Sequence, residues 1–235
     1  MLVRPALSLG LSLLFSWGMA LVVLADVAGN LTIAGNGPEL TTIVPFAHAF
    51  EKASPRASLD VVWNGNSKPA DDGQSRPGHI AVTGTEAPDL SATPIAWDGI
   101  GVLVHLSNFT KEVTKQQVAD MFSGKITGAA KVIGLDEQVV KTVVGTVSPL
   151  SAVTYLSLSQ GLSVVSDGVP VRRLPIDKIK SEAPTVKHGR YPFRRPVLLL
   201  SKKEPHPVAE AFTQFVLSQA GQQLIAETYI PIKEA

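Results

Sequence analysis

Hydrophobic and polar positions along the chain alternate between a period of two and a period near 3.6. Leu31-Thr32-Ile33-Ala34-Gly35 is a short strand pattern closed by the Asn36-Gly37-Pro38 turn. Leu40, Ile43, Val44, Ala47 and Phe50 then recur at spacings of three and four, which predicts a helix that Ser54-Pro55 stops. Pro45 either kinks that helix or marks a late start. Ala57 to Trp63 reads as a second strand, and Asn64-Gly65-Asn66-Ser67 as a turn that caps another short helix. His79 to Thr83 is a third strand, ending in the loop Gly84-Thr85-Glu86-Ala87-Pro88. Pro94 to Leu106 reads as a strand pair broken at Asp98-Gly99.

The same rhythm continues to the end of the chain. Thr114 to Phe122 is a compact helix, with Thr114 and Gln117 at capping-box spacing and Gly124 closing it. Val139 to Val144 is a β-branched strand followed by the loop Gly145 to Ser151, and a helix is expected through Tyr155, Leu158 and Leu162. Pro196 to Ser201 is apolar enough for a fully buried strand. Two helices finish the chain, at about 206–219 and 219–228. Strands alternating with helices predict an α/β protein with parallel strands.

Residues 1–25 lie outside this rhythm. Arg4 precedes a run from Ala6 to Ala25 that carries no charge, and Val23-Leu24-Ala25 before Asp26 has the small residues of a cleavage site. The segment is expected to be a signal peptide cleaved after Ala25, leaving 210 residues, with an uncleaved membrane anchor as the alternative. The 45% apolar content is therefore inflated at this end, yet still ample for a core. With 21 basic and 20 acidic residues, the chain has no global electrostatic footprint for nucleic acid. It has no cysteine, which excludes disulfides, cysteine-containing zinc sites, thiol catalysis and lipid attachment through an N-terminal cysteine.

Catalytic chemistry finds little support. His48, His79, His105, His188 and His206 are scattered, and the sequence has no HExxH, GxSxG or GxxxxGK[ST] pattern. We expect no enzyme, cofactor or metal, and read His48 as a core or boundary histidine on the apolar side of the first helix. The stronger signal is the set of strand-to-helix loops rich in Gly, Ser, Thr and Asn. In open α/β sheets ligands bind beyond the carboxyl ends of strands, where helix N-termini direct free N–H groups. Gly35-Asn36-Gly37-Pro38, Gly65-Asn66-Ser67, Thr83-Gly84-Thr85-Glu86 and Thr146 to Ser151 suit an oxyanion if they converge. Ordinary turn and capping chemistry explains them equally well.

Several stretches resemble one known family. They are Leu31 to Gly35 before the first helix, Gly84-Thr85-Glu86-Ala87-Pro88, Pro94 to Val104, Gln117 to Thr127, Tyr191-Pro192 before the strand Arg195 to Ser201, Phe215 to Gln222, and Tyr229-Ile230-Pro231-Ile232. In this order they are similar to the phosphate-type periplasmic solute-binding proteins of ABC transporters, in a short form. The turn around Phe122-Ser123-Gly124-Lys125-Ile126 and the run Leu217-Ser218-Gln219-Ala220-Gly221-Gln222 are the most specific pieces.

The resemblance implies a two-lobed periplasmic-binding-protein-like fold of type II, each lobe a mixed, mostly parallel sheet flanked by helices. One lobe would hold 26–103 plus 194–235 and the other 104–193. A small oxyanion, phosphate favoured, would lie between them, held by Asn36, Gly37, Ser67, Thr85, Glu86, Thr146, Ser148 and Ser151. Glu86 would stand where the family has an aspartate that accepts a proton from the ligand. The closed form would meet an ABC permease or a membrane sensor, as a periplasmic, non-lipidated monomer without nucleic acid.

The departures concern charge. Pro38 has no N–H to offer, Glu39 follows it, and Gly145 to Ser151 lacks the arginine the family carries there. Lys68, or one of Lys187, His188, Arg190, Arg194 and Arg195, is left to supply a cation from another direction, although that run reads more simply as a solvated hinge surface or docking patch. A second class of function stays open: a degenerate sensor or interaction module that keeps the fold and has lost oxyanion binding.

Overall fold

The structure, a computed structural model, describes residues 27–37, 39–63, 78–123, 125, 130–132, 152–158 and 168–233. The expected signal segment 1–25, the helix after Ser67, the strand 139–144 and the loop 145–151 lie outside the described residues. In chain order the elements are β1 (Gly29–Gly35), α1 (Leu40–Ala53), β2 (Ala57–Trp63), β3 (His79–Thr83), β4 (Ser91–His105), α2 (Lys115–Phe122) and β5 (Ala130–Val132). They continue with β6 (Ala152–Ser157), β7 (Val171–Leu174), α3 (Ala183–Lys187), β8 (Arg194–Ser201), α4 (Pro207–Leu217), α5 (Gln219–Ala226) and β9 (Ile230–Pro231).

The strands form a mixed sheet in the order β2-β1-β3-β8-β4-β6-β5, with β7 and β9 also pairing with β4. β1 is parallel to β2 and β3, and β5 is parallel to β6. β8 runs antiparallel to both β3 and β4, and β6 runs antiparallel to β4.

β4 corrects one expectation. Ser91–His105 is a single 15-residue strand, not a pair broken at Asp98-Gly99. The strand changes partners there instead of turning: Ser91 to Gly99 pairs with β8, whereas Ile100 to Val104 pairs with β6. Gly99 serves close packing, because a Cβ on it would lie 2.2 Å from Leu158 Cδ1 and 2.9 Å from Val186 Cγ2. β6 corrects another, since Ala152–Ser157 is a strand where a helix through Tyr155 was expected. The β-branched and aromatic run Val153-Thr154-Tyr155 suits a pleated surface, and pairing with β4 overrides the apolar spacing.

Two main cores flank the partner switch. The first packs β1, α1, β3, β8 and α4, with Phe50 edge-on to Phe212 and Phe215 at centroid distances of 5.5 and 5.6 Å. α1 passes through Pro45, which faces solvent; of the residues at the expected spacing Ile43, Ala47 and Phe50 are buried, Val44 is half-buried and Leu40 is exposed, while Phe46 adds to the buried face. The second core joins Val102, Val104, Val118, Leu174, Ile176, Val186 and Tyr191. Thr114 and Gln117 form the expected capping box at the start of α2.

The run Leu217 to Gln222 is explained by contacts at the C-terminal end. Ser218 Oγ accepts from Gly221 N and caps α5, and a Cβ on Gly221 would lie 2.3 Å from the Phe215 carbonyl oxygen. Gln222 is buried; its Nε2 donates to Ile95 O and Val216 O, and its Oε1 accepts from Ile232 N. The amide thereby ties α5 and the C-terminal segment to β4.

The strands at the switch are fastened to each other. Ile100 N donates to Phe193 O at 2.7 Å, and Tyr191 Oη donates to Ile100 O at 2.9 Å. The Arg194 guanidinium lies 3.6 Å from the centre of the Trp97 ring and donates to the carbonyls of Val186 and Lys187. Burial pushes the Tyr191 phenol up to about 12, against smaller opposing effects of Ser181 and Arg173. Its folded pKa is raised, so the stability it contributes is present at neutral pH and is lost as pH rises through about 12. An absorbance titration of the three tyrosines is expected to show one ionising near 12, and Tyr191→Phe to remove that step. A late step that survives the substitution would contradict the assignment.

Candidate functional site

β1 and β3 are parallel neighbours, with Gly35 opposite Val82, so the loops that follow them leave the same edge of the sheet. The first loop is shaped by an aromatic ring. A Cβ on Gly35 would lie 2.2 Å from Trp63 Cη2, so only glycine lets the indole rest there, and Trp63 Nε1 donates to Gly37 O at 2.8 Å. Glu39 follows at the N-cap of α1, where its carbonyl accepts from Thr42 N and Ile43 N. Its side chain does not cap the helix. The carboxylate folds back over Gly37, whose Cβ would stand 2.1 Å from Glu39 Oε2.

The carboxylate meets Arg195. Arg195 Nη2 lies 2.6 Å from Glu39 Oε1 and 3.1 Å from Asp98 Oδ2, and Arg195 Nε donates to the same Asp98 oxygen at 3.2 Å. Asp98 and Arg195 are register partners on β4 and β8. The other Asp98 oxygen accepts from Ser157 Oγ and Leu158 N at 3.2 and 3.3 Å. Arg195 Nη1 sits 3.0 Å from the position of a Cβ on Gly84, so the cation reaches the loop after β3. Glu39 and Asp98 are each 1% exposed, and the Arg195 side chain 27%. One guanidinium thus connects the loop after β1, the loop after β3 and the point where β4 changes partners.

Burial raises the Asp98 carboxyl above its ordinary value, while Arg195 and the Ser157 hydrogen bond pull in the other direction. Burial also opposes the charge of Arg195, but Glu39 and Asp98 outweigh it and hold its pKa above the usual arginine value. Arg195 therefore stays charged throughout the working pH range. Asp98 lines a cavity of about 300 Å³ between Trp97 and the segment Ala226 to Ile230 on one side and Arg173 and Ser181 to Ala183 on the other. Thr42 Oγ1 and Thr228 Oγ1, 2.7 Å apart, join the first turn of α1 to that segment.

Of the residues singled out from the sequence, Asn36 and Gly37 leave β1, while Thr85 and Glu86 leave β3 beside them and are exposed. Thr85 N donates to Thr83 Oγ1 at 3.3 Å. Ser67, Thr146, Ser148 and Ser151 lie outside the described residues. His48 is a correction: its side chain is 76% exposed, 3.9 Å from Glu51, because it falls on the outer face of α1. The basic run is corrected in part. Arg194 and Arg195 are held by Trp97, backbone carbonyls and carboxylates, whereas His188 and Arg190 are exposed.

The sequence reading missed Asp98 and the pairing of Glu39 with Arg195. The available signal was an aspartate inside the apolar strand Ile95-Ala96-Trp97-Asp98-Gly99-Ile100, since an acid there needs a cation. Arg195→Met leaves two buried carboxylates without a cation and is expected to cost about 3 to 5 kcal/mol of stability at pH 7 by urea denaturation. The deficit should shrink as the pH is lowered, because burial raises the Asp98 carboxyl and favours its neutral form. A loss below about 1 kcal/mol would contradict the cluster as described.

Comparison with known proteins places this geometry. No sequence-family profile matches the chain. Over 110 residues, 43% of this chain and 36% of the relative, it is 33% identical to phosphate-binding protein PstS 2 of Streptococcus pneumoniae. That match takes in about a third of the curated relative's length. Over 246 aligned positions, 88% of this chain and 82% of the relative, it is 22% identical to phosphate-binding protein PstS of Bacillus subtilis. A Clostridium perfringens protein solved with bound phosphate superimposes with a TM-score of 0.67 at 21% identity, covering 87% of this chain and 100% of that one. The regulatory domain of MetR, a LysR family regulator of Neisseria meningitidis, shares the fold at a TM-score of 0.61 and 12% identity, covering 88% and 98%. The chain has the periplasmic-binding-protein fold and resembles phosphate-binding proteins as a divergent relative.

Proposed function

We propose that this chain is an exported solute-binding protein that captures phosphate or a related tetrahedral oxyanion between two lobes for an ABC-type permease. The observation that carries the proposal is the placement of Arg195, a half-buried cation reached by the loops after β1 and β3. The names of the relatives point to the same ligand class. In this reading residues 26–103 and 194–235 make one lobe and 104–193 the other. The separate cores support two lobes, with the crossing at the partner switch of Gly99 and Ile100, a few residues before that boundary, since Val102 already packs in the second core.

The chemistry is electrostatic. A micromolar oxyanion requires about 8 kcal/mol of net binding free energy. Hydrogen bonds to a charged group contribute about 1.5 to 3 kcal/mol each, so Arg195 with a few hydroxyl and backbone donors suffices. Asn36, Gly37 and Thr85, with Ser67, Thr146, Ser148 and Ser151, are the proposed donors. Arg195 takes the role of the arginine that Gly145 to Ser151 lacks. Glu86 is proposed to accept the proton of a protonated oxyanion and to disfavour sulfate, which has none at neutral pH. Lobe closure would exclude water and present one conformation to the permease.

Titration calorimetry on protein unfolded, freed of ligand and refolded checks the reading. Heat of binding is expected with phosphate and arsenate, and much less with sulfate. Absence of heat with all three would contradict oxyanion capture and favour the sensor reading.

A further inference from the structure

We infer that Glu39 sets the oxyanion affinity of this site: its carboxylate occupies Arg195 in the unliganded protein, and an oxyanion binds by displacing it. The inference rests on the oxyanion reading above and adds to it a residue that works against the ligand. Three observations carry it. The Glu39 carboxylate is buried against Gly37 at the start of the 14-residue α1, and the guanidinium it pairs with reaches Gly84 in the loop after β3. Its Oε1 stands 2.6 Å from Arg195 Nη2, the charge-assisted contact that a phosphate oxygen would make. And two carboxylates facing one guanidinium leave no excess positive charge, so an incoming anion meets an occupied cation.

The two acids differ in how they are held. Asp98 accepts from Ser157 Oγ, Leu158 N and Arg195 Nε, and it sits in the middle of β4. Glu39 makes no side-chain cap to its own helix, and its backbone carbonyl stays bonded to Thr42 N and Ile43 N whatever its side chain does. Rotation about its side-chain bonds therefore releases Arg195 without unravelling α1. Asp98 anchors the guanidinium, and Glu39 yields it. The unliganded protein gains a satisfied half-buried cation, while affinity for the oxyanion falls by the stability of the contact that must be broken.

The test compares native protein with Glu39→Gln, Glu39→Ala and Glu39→Asp by equilibrium binding of inorganic phosphate at pH 7, with thermal melts as the folding control. Glu39→Gln is expected to bind phosphate at least tenfold more tightly than native protein. In Glu39→Ala, added acetate should take the vacated place and compete with phosphate, whereas it should not compete in native protein. Glu39→Asp, one methylene shorter, should fall between native and Gln, and it decides the question should the neutral variants fail to fold. Native-like or weaker phosphate binding by the folded variants, with native protein still binding, would overturn the role of Glu39 alone. No phosphate binding by native protein or any variant would overturn the oxyanion reading and this inference with it.

Discussion

The ion cluster of Arg195 with Glu39 and Asp98 is the constraint around which the described structure is arranged. Moving a guanidinium and two carboxylates out of water costs several kcal/mol per ion unless they meet at close range. Their separations of 2.6 and 3.1 Å fix the geometry of everything that carries them. Glu39 sits at the start of α1, Asp98 on β4 and Arg195 is the second residue of β8. A hydrophobic contact tolerates sliding, whereas a pair with one hydrogen-bonding arrangement does not.

That constraint lies where β4 passes from one core to the other. Asp98 and Gly99 are the last residues of β4 that pair with β8, and Ile100 is the first that pairs with β6. Beside them Tyr191 donates to the Ile100 carbonyl and Arg194 lies over the Trp97 ring. The pairing at the crossing leaves Arg195 half-exposed between the loops after β1 and β3. The fold alone does not specify a ligand, since a regulatory domain of a transcription factor shares it.

Local signals made the first half of the fold readable. The spacing of three and four from Ile43 through Ala47 to Phe50 and the Thr114–Gln117 box describe short-range physics, and α1 and α2 appear where they predict. β4 and β6 were misread because their conformation depends on a partner distant in sequence. Asp98-Gly99 has the composition of a turn, but the aspartate is there for Arg195, 97 residues away, and the glycine for Leu158. Tyr155 carries helical spacing with Leu158, yet it pairs with Val102 of β4 in a strand that ends at Ser157. The shared sheet edge of the loops after β1 and β3 was legible because small polar residues after parallel strands have a known geometry. The charge inside the site was not, since a basic run looks the same in sequence whether it is solvated or buried.

The central claim is that Arg195 is the cation an oxyanion binds, with Glu39 holding its place beforehand. The most direct measurement is a crystal structure of the protein soaked with arsenate, its arsenic located by anomalous scattering. The account predicts arsenate oxygens about 2.7 to 2.9 Å from the Arg195 guanidinium, with the Glu39 carboxylate turned away and Asp98 still in place. Arsenic bound elsewhere in the cleft, with Glu39 still paired to Arg195, would contradict it.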